Sequence, residues 1–520
     1  MGCTTLPSLE GRSTTTALSE EESQATVLGR AIAPLVAANP GKSGVHPLQD
    51  GRDAFAARML LVKAAQKTLD VQYYIWRPDA TGIMMFEALH AAAERGVRVR
   101  LLLDDNNTTG LDQVLAALDA HPNMEVRLFN PFVLRKHRWL GYLTDFSRAN
   151  RRMHNKSFTA DNQITIVGGR NIGDEYFGAS DDVLFVDLDV LVGGPIVREV
   201  SSDFDRYWSS DSAYPVASLL PGIDTAYLEQ LAMDSAKVEV DPMAEAYTKS
   251  LRSSTLIQNL LQGKLELRWA VTRMVSDHPG KGLGLLTEDE LLSHELTRVI
   301  DKAESEVALV SPYFVPTAVG VDALAAIAAS GVGVKILTNA LEATDVAVVH
   351  AGYAKRRKAL LRAGIQLFEM QAMTQNAEPR LGGRGGGSGS GSGARSSRSA
   401  PSGSGGRFGS SASSLHAKTF AIDNKRVYVG SFNFDPRSAQ LNTELGFIIE
   451  SPEMARAIET AFEKQIPDVA YQVHLSEDGR LYWIEQVDGE ARRHDIEPGT
   501  GFWQRMAVRL MSWLPIEWML

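Results

Sequence analysis

The sequence has almost no cysteine. Its single thiol, Cys3, excludes an internal disulfide framework and any Cys-based zinc site. No run approaches the ~18 consecutive apolar residues that mark a membrane-spanning helix, so none is expected. Positive charge is in deficit, with 53 Lys and Arg against 63 Asp and Glu and a net charge of −10. That balance argues against a strongly basic nucleic-acid binder, although a local basic groove is compatible with it, and no nucleic-acid partner is expected. Converging histidines and carboxylates of the kind a zinc or two-metal hydrolase needs are also missing, so neither a metal nor another cofactor is expected. What is present is ordinary globular material, 44% hydrophobic and 22% charged over 520 residues, enough for two or more domains.

Residues 1–45 are rich in Ser, Thr, Ala and Glu and read as a mostly disordered lead-in, with a short helix around Ala25–Ala38. Within it, Gly2-Cys3 has the form of the end of a bacterial lipoprotein signal, which makes Cys3 a candidate for lipid modification. The apolar stretch that such processing needs does not precede it, and a cysteine in a polar tail is the equal alternative. Residues 46–235 and 291–465 read as two similar lobes joined by a connection over 236–290. A Gly/Ser-rich insert, 381–414, has linker composition and reads as a surface loop of the second lobe. Residues 466–520 form a C-terminal extension.

The two lobes share a strand–helix–strand grammar, which predicts an α/β fold with parallel pairs. In the first, a strand over Leu69–Trp76 leads to a helix over Ile83–Arg95 closed by Gly96, then a buried strand from Val97. In the second, Val307–Val315, Val321–Ser330, Gly331 and Val332–Thr338 repeat the order. Each unit is followed by the same chemically loaded motif. His154-Asn-Lys156 precedes Asp161 and then Gly-Gly-Arg-Asn171; His416-Ala-Lys418 precedes Asp423 and then Gly-Ser431-Phe-Asn433. On a strand, the His and Lys of H-x-K point to one face. The aspartates, seven residues beyond their histidines, fall on the opposite face by alternation, and anchoring the strand end is the preferred reading for them.

Two histidines and two lysines from two half-sites suit a phosphodiester. One neutral imidazole can attack phosphorus and form a covalent phospho-histidine, while the other, protonated, donates to the leaving oxygen. Lys156, Lys418, Asn171, Asn433 and the Ser431 hydroxyl are the candidates to hold the non-bridging oxygens. Asp187 and Glu444, each on an expected strand after its motif, are the candidate carboxylates that fix the imidazole tautomers.

These paired motifs resemble the phospholipase D superfamily. Asp145–Phe158, Val167–Asp174, Gly430–Ser438, Leu101–Asn107 and Asp345–Tyr353 are similar to the third type of bacterial cardiolipin synthase. The likeness runs from about Ala54 to the C-terminus, interrupted by the Gly/Ser insert. It departs from the usual Gly-Ser-x-Asn at the first motif, where Gly169 takes the serine's place. The resemblance implies two α/β/α sandwich lobes with mixed sheets, a pseudo-dimer in one chain with one shared active site and no obligate protein partner. It implies the H-x-K-x4-D residues His154, Lys156, Asp161, His416, Lys418 and Asp423 as the catalytic set. It also implies transfer of a phosphatidyl group between phospholipids, with phosphatidylglycerol and phosphatidylethanolamine as the pair, at a bacterial membrane surface. The alternatives are a phosphodiesterase of the phospholipase D type that hydrolyses phospholipids, less readily nucleic acid, and a non-catalytic lipid-binding scaffold. By analogy His154 is the nucleophile and His416 the acid, an assignment the sequence leaves open to reversal.

Other features fit a lipid substrate. Leu134–Trp139 with Arg148, Arg151 and Arg152 gathers positive charge upstream of the first motif, suited to anionic headgroups or to a solvated loop. Family likeness puts Tyr74, Tyr313 and Tyr353 at pocket walls, with core packing the alternative for the first two. His350 is a weaker candidate for an acceptor site. The Trp-rich segment 501–520 reads as an amphipathic helix in a membrane interface or docked on the core.

Overall fold

A computed structural model describes residues 6–179, 185–221, 264–372 and 414–514, with a few positions between 227 and 259. Cys3, most of 236–263, the Gly/Ser insert up to 413 and residues 515–520 lie outside the described residues.

Two large mixed sheets carry the fold. The first has nine strands in the order Arg268–Ala270, Ser43–Leu48, Asp189–Gly193, Ile164–Gly168, Ser157–Ala160, Thr68–Ile75, Arg98–Asn107, Met124–Phe129, Ala213–Pro215. The second has ten, in the order Thr272–Ser276, Leu445–Ile449, Arg426–Gly430, Thr419–Ile422, Glu306–Val310, Gly333–Asn339, Gln366–Met370, then the hairpins of Ala470–His494. The six strands from Asp189–Gly193 to Met124–Phe129 match, one for one, the six from Leu445–Ile449 to Gln366–Met370. In each set the βαβ strands are parallel and the motif strands antiparallel. The crossover helices Ala80–Glu94 and Thr317–Ala329 both end at a glycine in left-handed geometry, Gly96 and Gly331, as the pattern predicts.

The sheets stack on each other. One hydrophobic cluster contains Val45, Val167, Val190 and Val192 from the first sheet and Ala308, Val310, Val427 and Phe447 from the second. Separate clusters lie under the outer helices of each lobe. The inter-lobe connection builds both sheets: Arg268–Ala270 pairs with Ser43–Val45, and two residues later Thr272–Ser276 pairs with Leu445–Ile449.

The lead-in is not disordered where it is described. It forms helices Glu20–Gln24 and Val27–Ala38, the first opened by a Ser19–Glu22 capping box. Ser43–Leu48, starting inside the stretch read as lead-in, is an interior strand between Asp189–Gly193 and Arg268–Ala270. The segment is held by backbone pairing and by apolar side chains, Ile32, Val45 and Leu48, that reach the core from an otherwise polar stretch. The C-terminal extension likewise widens the second sheet through Ala470–Leu475, which pairs with Gln366–Met370.

Candidate active site

The H-x-K residues sit at the entry to the motif strands. His154 and Lys156 precede Ser157–Ala160, and His416 and Lys418 precede Thr419–Ile422. All four side chains are buried, both histidines being 7% exposed. Each strand then turns on an Asp-Asn pair, Asp161-Asn162 and Asp423-Asn424, whose four residues all have positive φ. Asp and Asn tolerate this conformation better than other side chains, which suits a tight hairpin turn. The Asp161 carboxylate accepts backbone N–H groups of Gln66, Lys67 and Thr68. Asp423 accepts those of Glu304, Ser305 and Glu306. Grouped with the catalytic set by the motif, these aspartates instead staple the hairpin to the start of the neighbouring strand.

The lobes exchange their carboxylates. Glu444, from the second lobe, places Oε2 2.9 Å from His154 Nδ1. Asp187, from the first, places Oδ2 2.6 Å from His416 Nδ1. Backbone pairing across the lobe boundary sets this register. His154 N–H donates to Thr443 O, and Thr443 N–H to Arg152 O. His416 N–H donates to Val186 O, and Ser414–Leu415 pairs in parallel with Phe185–Val186. Nδ1 is thus committed to a carboxylate on both rings. Each ring also meets a tyrosine edge-on: Tyr74 at 4.9 Å from His154 and Tyr176 at 5.2 Å from His416. Sequence reasoning missed Tyr176; its signal was its place five residues after Asn171, whose Nδ2 donates to the Tyr176 hydroxyl.

The two half-sites differ electrically. Burial, with Lys156, Lys418 and Arg437 nearby, holds His154 well below its ordinary range, so the ring is neutral at pH 7. Burial and Lys418 pull His416 down to about 4, with Asp187 opposing. Burial pushes Asp187 up, but His416, Lys418 and Arg170 outweigh it and keep the carboxylate well below the usual range. Glu444 is pushed up to about 7 by burial, against the pull of Lys156 and Ser431. Burial also lowers Lys156, to about 7, and lowers Lys418. Lys156 Nζ donates to His154 O at 2.6 Å, while Lys418 Nζ lies 3.1 Å from His416 Nδ1 and 3.4 Å from its Nε2.

The residues expected to cradle phosphate divide. Ser431 does not present its hydroxyl to a phosphate: Oγ donates to Glu444 Oε2 and accepts from Leu445 N–H. It orients the carboxylate instead. At the matching position a Cβ on Gly169 would lie 2.2 Å from Asp187 Oδ1, so the carboxylate excludes the serine usual there. Asn171 is tied to Ile75 N–H through Oδ1 and to Tyr176 through Nδ2. Asn433 keeps its buried Oδ1 without a partner. Arg170, between Gly169 and Asn171 in sequence, donates to Leu48 O, Gln49 O and Asp187 O and so fixes the Asp187 turn.

The arginines of the basic stretch upstream of the first motif are spent on protein partners rather than presented. Arg135 pairs with Asp105 and Asp112, Arg148 with Asp145, and buried Arg152 with Asp104. Arg151 donates to Lys281 O and Gln440 O. Tyr313 donates to Asp345, and Tyr353 is core, donating to Glu369. His350 is no acceptor-site lining: Glu497 and Arg357 hold its Nε2. The helix Phe502–Met511 docks through Val508 on Leu341 and Ala351, leaving Trp503 79% and Trp513 73% exposed. His90, Glu94 and His121 bring ligand-type atoms within 4.8 Å of one another. There, Asn123 N–H donates to His121 Nδ1. This puts the neutral ring's proton on Nε2, 3.0 Å from Glu94. A metal on that nitrogen would need the proton on Nδ1, so the bonding fits a carboxylate–histidine pair.

Comparison with known proteins agrees with this geometry. The family described as cardiolipin synthase, PLD-like domain, matches residues 60–208, 296–381 and 395–466. The chain is 48% identical to cardiolipin synthase C of Escherichia coli (strain K12), over 95% of this chain and 99% of that protein. It is 24% identical to a cardiolipin synthase of Staphylococcus aureus (strain Mu50), over 85% of this chain and 70% of that one. Among solved structures it is similar in fold to phosphatidylserine synthase of Haemophilus influenzae Rd KW20. That match has TM-score 0.56, 12% identity and coverage of 95% and 100% of the two chains.

Proposed function

This chain belongs to the PLD-like cardiolipin synthase family, and from that premise we propose that it transfers a phosphatidyl group from phosphatidylethanolamine to phosphatidylglycerol, forming cardiolipin. The observation that carries the reading is the reciprocal exchange: two buried histidines, each with Nδ1 held by a carboxylate of the other lobe. His154, neutral beside a carboxylate that titrates near 7, is the nucleophile. Its Nε2 bonds to phosphorus while the bond from phosphorus to the ethanolamine oxygen breaks. His416 gives its Nε2 proton to that oxygen from its protonated form, a minor one at pH 7 because burial and Lys418 hold the ring down to about 4 against the ionised Asp187. In the second half, neutral His416 takes the proton of the phosphatidylglycerol terminal hydroxyl as that oxygen displaces His154 from phosphorus. Lys156, Lys418 and the Asn433 carboxamide supply charge and hydrogen bonds to the non-bridging oxygens.

The enzyme acts as a peripheral protein of a bacterial membrane. Among the described residues no helix is long and apolar enough to cross a bilayer. The exposed tryptophans of Phe502–Trp513 suit a membrane interface, and Cys3 remains the candidate lipid anchor. The test is purified protein in mixed micelles of phosphatidylglycerol, with and without phosphatidylethanolamine, read by mass spectrometry. Cardiolipin that rises with phosphatidylethanolamine, with ethanolamine released in equal amount, is the expected result. Phosphatidic acid alone would make water the acceptor and the protein a hydrolase.

A further inference from the structure

We propose that the segment Leu134–Phe146 is a second membrane contact, which inserts its apolar side chains into the bilayer at the rim of the His154 half-site. The proposal rests on the reading that the substrates are bilayer phospholipids.

The segment is built inside-out. It follows Met124–Phe129 and consists of the short helices Arg135–Leu140, Gly141–Thr144 and Phe146–Ala149. A surface segment ordinarily turns apolar side chains inward and polar ones to water. Here Trp139 is 62% exposed and Leu143 74%, and Leu134 and Phe146 are exposed as well. The inward bonds are polar. Arg135 reaches Asp105 and Asp112, Arg138 donates to Asp105 O at 2.6 Å, and the Tyr142 hydroxyl donates to Asn106 Oδ1 at 2.6 Å. Gly141 is pressed against Phe132, where a Cβ would come within 2.7 Å of the ring. The segment is therefore clamped with its apolar side outward, not poised to fold down onto a core.

Its position names the occupant. Asn106, which holds Tyr142, also donates to the Tyr74 hydroxyl at 3.4 Å, and the Tyr74 ring stands 4.9 Å from His154. Tyr142 thus lies two side chains, Tyr74 and Asn106, from His154, and the exposed Trp139 and Leu143 flank it in sequence, so a phospholipid at His154 has this segment beside it. The segment's one carboxylate, Asp145, is paired with Arg148, and from Leu134 to Thr144 there is none to repel an anionic headgroup. Trp at such a rim is the residue favoured at the bilayer interface. Because the arginines are spent on Asp105 and Asp112, insertion here is apolar and depends weakly on salt, unlike attraction by a free basic patch.

The experiment is flotation of the full-length chain with phosphatidylglycerol/phosphatidylethanolamine vesicles at low and high salt, beside turnover of a water-soluble phosphodiester. Trp139→Glu with Leu143→Glu is expected to lower vesicle partitioning by ~10–100-fold at both salt concentrations. It leaves turnover of the soluble diester unchanged, and Leu143→Phe keeps partitioning. Unchanged partitioning of the double variant overturns the proposal. Equal loss on the soluble diester also overturns it, making the segment a support of the site. So does a wild-type dimer that the variant dissolves, which would make a second copy the occupant. Flotation needs no turnover, so a wild type that binds vesicles through these residues but makes no cardiolipin would defeat the proposed function and not this one.

Discussion

The two half-sites share one backbone and carry two different carboxylate arrangements. Gly169 N–H donates to Leu188 O and Ser431 N–H to Leu445 O, so the two turns are equivalent. On that frame the second lobe sets a glutamate with a serine hydroxyl on it, and the first sets an aspartate against a glycine. The shorter Asp187, beside Lys418 and Arg170, stays ionised. Glu444, buried and shared with Lys156, is pushed up to about 7. The duplicated frame thus keeps its geometry while its two carboxylates differ in charge, and burial lowers both histidines beside them.

The largest effect expected from breaking this comparison is at the histidines. His154→Ala and His416→Ala each lower turnover on the order of 10⁴-fold. They differ in what accumulates. With an activated diester whose leaving group needs no proton, His416→Ala traps phosphate on His154, and His154→Ala traps none. Mass spectrometry of the protein after an alkaline quench, which preserves the acid-labile P–N bond, reads the adduct. An adduct on His416 in the His154→Ala protein would reverse the roles.

The carboxylates come next, and pH separates them. As pH falls through about 7, Glu444 gains a proton, donates to His154 Nδ1 and leaves the ring's own proton on Nε2, which can then not attack. The rate therefore falls on the acid side of about 7 in the wild type. Glu444→Gln removes that limb and lowers the plateau roughly 10²–10⁴-fold. Asp187→Asn costs a similar factor and keeps the limb, since Asp187 stays ionised across this range. A limb that survives in Glu444→Gln and vanishes in Asp187→Asn would exchange the two assignments.

Much of this was legible in the residues because it is periodic. The H-x-K spacing, the strand–helix–strand repeat and the glycines at 96 and 331 predicted both lobes and singled out two histidines and two lysines, all of which are buried. Alternation alone turns Asp161 and Asp423 away from the histidines, and both carboxylates accept backbone N–H groups. What was not legible depends on chain segments that meet only after folding. Asp187 follows the first motif and Glu444 the second, so nothing local says that each serves the other lobe's histidine. The Ser431 hydroxyl reads as a phosphate ligand until Glu444 arrives from the next strand to take it. Arg135 and Arg152 read as surface charge because Asp104, Asp105 and Asp112 lie some tens of residues upstream. The strand Ser43–Leu48 is short and carries Gly and Pro, which read as a turn, and only its two neighbours make it an interior strand.

The motif aspartates give the smallest effect on chemistry and a clear one on stability, which is what separates them from Asp187 and Glu444. Asp161→Ala or Asp423→Ala strands three backbone N–H groups at a strand start. Each change is expected to cost about 2–4 kcal/mol of folding stability while the rate per folded molecule stays within a factor of about two. The Asn variants lose less, because asparagine accepts the positive φ and keeps one acceptor oxygen. For Asp423 the pH dependence has a definite sign. Burial raises its pKa, but the N–H groups of Ser305, Glu306 and Glu304 outweigh it and hold the folded value below the ordinary one. Its contribution is therefore full above the unfolded pKa and is lost as pH falls through the folded one. Thermal unfolding of Asp423→Asn should then differ from wild type at pH 7 and converge with it in acid. A rate per folded molecule that collapses with the carboxylate, at unchanged melting temperature, would return Asp423 to the catalytic set.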